Sequence, residues 1–109
     1  MITLYLRYSI NPNKISDFAK YAAEEQIPIA ASGGNIVGYF LPTDFAGSTS
    51  EAVGLIEFPS LTEYEQYRSK LAMDPRHIEN FTLLESKGAV LSTQRSLMRR
   101  SEPANEVQA

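Results

Sequence analysis

Between Ile2 and Arg99 the spacing of apolar residues switches repeatedly between every second position and every third or fourth, and the order of the switches restricts the folds open to this chain. Ile2, Leu4, Leu6, Tyr8 and Ile10 alternate with Thr3, Tyr5, Arg7 and Ser9, the pattern of a strand with one face on a core. Asn11-Pro12-Asn13 breaks it, and Ile15, Phe18, Ala19, Ala22, Ala23 and Ile27 then recur at helical spacing. Pro28 removes an amide donor and predicts a kink or near end of that helix, with Ser32-Gly33-Gly34-Asn35 supplying its last turn. Residues 36–41 (IVGYFL) and 51–58 (EAVGLIEF) are rich in β-branched and aromatic side chains and each stops at a proline, which predicts two more strands. The polar TDFAGSTS between them reads as a mobile hairpin loop and the candidate lid. Ser60-Leu61-Thr62-Glu63 has the form of a capping box opening a second helix. Asp74-Pro75 restarts the chain as N-cap and first helical residue of a third, with Ile78, Phe81 and Leu84 expected inward and Lys87-Gly88 as its stop. Residues 89–98 read as a last strand with weaker alternation, and residues 100–109 as a disordered tail that has almost nothing to bury.

The order β-α-β-β-α-α-β predicts an α+β fold of the ferredoxin-like, split βαβ type: one domain over residues 1–99, with a four-stranded antiparallel sheet in the order 4-1-3-2. Helices cover one face of such a sheet, and Tyr8, Gly38, Phe40, Gly54, Ile56 and Phe58 are assigned to it. Tyr5, Val37, Tyr39, Leu41, Val53, Leu55, Leu91 and Leu97 are left on the other. No internal segment remains to cover that second face, so a homodimer with the two sheets packed face to face is expected.

Composition narrows the chemistry. The 109 residues contain no cysteine, which removes disulfides, thiolate metal sites and a cysteine nucleophile, and one histidine, His77, which removes any intrachain site needing two imidazoles. Neither a metal nor another cofactor is expected. A net charge of −3 has the wrong sign for a nucleic-acid footprint. The opening MITLYLRYSINPNK has no basic stretch ahead of an uninterrupted apolar one, so the expectation is a cytoplasmic protein with no membrane partner.

Four segments carry a resemblance. GGNIVGYFLP, FPSLTEYEQYRSKLAMDP, QRSLMRR and the opening LRYSINPNK resemble, in order and spacing, hallmark segments of the bacterial branch of the NIPSNAP family, with Asn13 where that family usually has glycine. The resemblance implies a dimeric α+β barrel, a fold shared with small cofactor-free monooxygenases, lactone isomerases and haem-handling enzymes that hold ligands between sheet and helices. It implies no particular activity, because fold and function separate readily.

Six residues are candidates for a pocket or an interface: Arg7, Tyr8, Tyr39, Glu57, His77 and Arg95. Arg7, Glu57 and Arg95 fall on the less aliphatic sheet face if alternation is unbroken, and Glu57 and Arg95 are then expected to meet across Thr3. There they form either an anion-binding pair or a structural ion pair. His77, in the first turn of the third helix and four residues before Phe81, is either a neutral imidazole aimed at a pocket or a packing residue. Tyr8 and Tyr39 read as core or rim aromatics whose hydroxyls seek partners. Two functions follow: a dimeric protein that binds a small molecule or acts through its surface, and a cofactor-independent enzyme of monooxygenase or isomerase type working on a phenolic or lactone substrate between sheet and helices. A cavity of several hundred Å³ with convergent polar groups is the observation that separates them.

Overall fold

Each of the expected strands and helices forms in the computed structural model of the chain, which describes residues 1–105. β1 (Ile2–Ile10) leads through a 3-10 turn (Pro12–Lys14) into α1 (Ile15–Ala31); β2 (Asn35–Phe40) and β3 (Glu51–Phe58) follow, then α2 (Leu61–Met73), α3 (Pro75–Lys87) and β4 (Val90–Arg99). The sheet order is β2-β3-β1-β4, antiparallel throughout. Arg100 to Asn105 continue without a further strand. Residues 106–109, where the rest of the expected disordered tail falls, lie outside the described residues.

Local chemistry accounts for the boundaries. Ser60 Oγ accepts the amide of Glu63 at 3.4 Å, the N-cap half of a capping box, and donates to the Glu63 carboxylate at 3.1 Å. Asp74 caps α3 by accepting the Arg76 amide at 2.9 Å, and Gly88 ends it in the left-handed region at φ 62°. Pro28 does not end α1. It sits in the last full turn, its ring fully buried, and the helix runs to Ala31 before Gly33 turns the chain at φ 105°. Gly34 is required there, since a Cβ would lie 2.8 Å from Ile29 and 2.9 Å from Ile56.

The core lies between one sheet face and the helices. Leu4, Leu6, Tyr8 and Ile10 of β1 and Ala52, Ile56 and Phe58 of β3 pack with Phe18, Tyr21, Ala22 and Ile29 of α1, Tyr67 of α2 and Leu84 of α3. Two helices are rotated from expectation. α1 buries Tyr21, Glu25 and Pro28 and leaves Ala23 and Ile27 exposed, and α3 buries Leu84 while Ile78 points to solvent and Phe81 is half exposed. In α1 the apolar residues lie around most of the helix, and in α3 adjacent Leu83 and Leu84 offer two faces, so spacing alone does not fix a single stripe.

Register sets the faces. Leu4, Leu6 and Tyr8 pair with Ile56, Gly54 and Ala52 on one side and with Leu97, Arg95 and Thr93 on the other. Arg95 and Leu97 therefore sit on the helix-covered face, not on the open one. Along β2 the register shifts between Ile36 and Gly38, and this bulge brings Tyr39 to the covered face opposite Gly54 while sending Gly38 and Phe40 to the open face. Leu91 occupies a similar irregularity where the pairing steps from Ser9–Ser92 to Ile10–Val90. The open face keeps Tyr5, Val53 and Leu55, joined by Phe40 and Met98, which are about half exposed at 52% and 50%.

Candidate functional site

A cavity of about 410 Å³ opens between the covered sheet face and the three helices. Its floor is Leu4, Leu6 and Tyr8 of β1 with Thr93 and Arg95 of β4, and α1, α2 and α3 contribute Glu25, Tyr67 and His77. Tyr39 enters because Gly54 makes room for it: a Cβ at Gly54 would lie 2.9 Å from the Tyr39 ring. That ring stacks beside Tyr8 at 6.2 Å, and the two hydroxyls lie 3.4 Å apart.

The polar centre belongs to two helices. Glu25 of α1 is only 2% exposed, and its Oε2 lies 2.5 Å from His77 Nδ1 of α3. Its other oxygen accepts the Asn80 side-chain amide at 3.1 Å, and the same nitrogen donates to the Tyr21 carbonyl at 3.1 Å. Asn80 thereby ties α3 to α1 and holds the carboxylate in one orientation. His77 stacks on Phe81, with centroids 5.8 Å apart, which fixes the ring plane at the cavity wall. Burial pushes the Glu25 carboxyl above the ordinary carboxylate range, opposed by the hydrogen bonds from Asn80 and His77. The phenols respond to the same dry surroundings. Burial raises Tyr8 to about 12, and Tyr21, Tyr39 and Tyr67 also rise, so all four are neutral hydrogen-bonding groups at physiological pH.

The six candidates divide between the two faces. Tyr8, Tyr39, His77 and Arg95 line the one cavity. Arg7 lies on the open face and pairs with Glu51 at 3.0 and 3.1 Å, both groups well solvated. Glu57 does not meet Arg95. It accepts from Thr3 Oγ1 at 3.3 Å and from Arg100 at 3.4 Å, because the β1–β4 register sets Arg95 opposite Leu6 and Met98 opposite Thr3. The expected lid also misplaces. No residue between β2 and β3 lines the cavity. Glu25 and Asn80 escape a reading of sequence alone, although a carboxylate seven positions after Phe18 and four before Ile29 on a buried helix face was the available signal. Among the described residues no cluster of three or more His, Cys, Asp or Glu could hold a metal ion, and no helix is long and apolar enough to cross a membrane.

Fold and site together define a ferredoxin-like α+β domain with a ligand-sized cavity under its helices. The NIPSNAP family profile matches residues 5–103, and the chain belongs to that family. No curated protein matches the sequence. A NIPSNAP family protein from Agrobacterium tumefaciens superposes with a TM-score of 0.78 at 28% identity, covering 95% of this chain and 96% of that one. A second from the same organism, described as of unknown function, gives 0.79 at 21% identity over 96% and 92%. SnoaB, a cofactor-independent oxygenase from Streptomyces nogalater, gives 0.65 at 13% identity over 95% and 96%, a likeness of fold alone.

Proposed function

We propose that the protein is a homodimeric small-molecule binder that takes an organic ligand of one or two rings into the cavity between sheet and helices. The observation that carries this reading is the cavity itself, in which about 410 Å³ of mostly apolar wall meets the polar groups of Tyr8, Tyr39, Glu25, His77 and Arg95. Few cavities gather four phenols, a carboxylate and an imidazole, with a guanidinium at the exposed edge, unless something polar is to be oriented there. The homodimer reading rests on the open face, where Tyr5, Phe40, Val53, Leu55 and Met98 form an apolar surface that a second copy of the sheet would cover.

A thermal-shift screen of small aromatic acids, phenols, lactones and haem tests the binding. A ligand at about 100 times its Kd raises stability by ~2.7 kcal/mol, and Leu6→Trp, which fills the cavity, should abolish the shift. No shift with any member of the screen would overturn the reading. A second reading, a cofactor-independent enzyme of monooxygenase or isomerase type, is favoured by the Glu25–His77 contact. Both reactions begin by removing a proton from the substrate, and both need a positioned base.

A further inference from the structure

We propose that His77, oriented by Glu25, is a general base that takes the hydroxyl proton of a bound phenol or enol, and that Arg95 holds the resulting oxyanion. The proposal rests on the pocket reading above and names its substrate class and its proton acceptor.

The argument begins with the imidazole. Nδ1 is committed to Glu25 Oε2, so the neutral ring carries its proton on Nδ1 and presents the lone pair of Nε2. Glu25 cannot turn away, because Asn80 holds its second oxygen, and the ring cannot tilt freely, because Phe81 stacks on it. An acceptor fixed on both sides at the wall of a mostly apolar cavity is the arrangement that proton abstraction requires. In the step, the ligand O–H bond breaks and an Nε2–H bond forms. The electron pair stays on the ligand oxygen, and no oxidant or second reactant takes part. The imidazolium so formed is stabilised by the Glu25 carboxylate.

Other groups lining the same cavity are consistent with this assignment. Tyr21 of α1, Tyr8 of β1, Tyr39 of β2 and Tyr67 of α2 are neutral phenols that can donate to an oxyanion without competing for its proton. Glu85 of α3 lines the cavity as a second carboxylate, and Arg95 of β4 supplies the positive charge for the product. Arg95, opposite Leu6 at the solvent-exposed edge of the cavity, has a guanidinium whose planar donors suit an oxyanion. A ligand without an acidic hydroxyl would leave the Glu25–His77 pair unused, which is why the substrate class is a phenol or enol and not a plain hydrocarbon.

The test uses 4-nitrophenol, whose anion absorbs visible light and whose neutral form does not. At a pH about one unit below its own pKa, adding the protein should raise the phenolate band, lowering the apparent pKa of the bound probe by about one unit or more, a tenfold shift in the equilibrium. His77→Gln should bind the probe without the band, and Arg95→Met should reduce it. Because His77 is the chain's one histidine, 15N-histidine spectra of the unmodified protein read the acceptor directly, and the Nε2 signal should shift as the probe binds. Binding with no band and an unmoved Nε2 signal, or an undiminished band in a folded His77→Gln variant, overturns the proposal and leaves the pocket reading standing. Failure of the nitrophenol to bind when other molecules of the screen do overturns the substrate class. Failure of every molecule overturns both readings.

Discussion

Gly54 and Glu25 show how much one position governs. A methyl group at Gly54 would occupy the space of the Tyr39 ring, so Gly54→Ala should cost about 1–3 kcal/mol in thermal or denaturant melts and break the Tyr8–Tyr39 contact. Glu25 acts through pH. Burial raises its carboxyl pKa in the fold, so its contribution to stability is fully present below the ordinary carboxylate value of about 4.3 and is lost as pH rises through the higher folded value. Glu25→Gln removes that loss. The Tm of the variant relative to the native chain should therefore climb as pH rises above the ordinary carboxylate value, and a flat difference would show that Glu25 carries no such cost. The residues differ in how legible they are. Tyr8, Tyr39, His77 and Arg95 can be singled out from the sequence by type, but Glu25 cannot, because helical spacing alone leaves α1 free to rotate until the partners of its single buried carboxylate are known.

At the scale of elements, the caps are legible and the last strand is not. Ser60-Glu63 and Asp74-Pro75 act through contacts two or three residues away, so their chemistry is complete within the sequence that encodes them. Asp74→Ala should cost about 1 kcal/mol, and circular dichroism should show the loss in the helical signal on melting. β4 is the opposite case. Serine, threonine, glutamine and arginine fill both of its faces, so alternation cannot choose a register, and a slip of one residue moves Arg95 from one face to the other. The pairing that settles the choice runs through β1, far away in sequence, and the irregularity at Leu91 changes the phase again near the start of the strand. β2 hides its bulge for the same reason. Gly38 marks the place, yet only pairing with β3 reveals that Tyr39 turns inward.

The whole molecule is a sheet with two differently used faces, a cavity lined by polar groups under the helices on one and an apolar surface on the other. Strand order and helix placement follow from the succession of periodicities, which is why the architecture is legible where the site is only half so. The proposed dimer makes Leu55→Lys a decisive change: sedimentation at micromolar concentration should show dimerisation weakened tenfold or more, which is about 1.4 kcal/mol, while ligand binding on the other face persists. A two-sided sheet also dictates where the chain can grow. Inserting one residue within β1 or β3 exchanges the sets of side chains on both faces at once, so cavity and interface are lost together. The connection between Phe40 and Glu51 has no buried residue and does not touch the cavity. Doubling a flexible loop costs only about 0.6 kcal/mol, so this connection is the natural place for length to vary, and a peptide tag or reporter spliced there should leave the fold and its cavity intact.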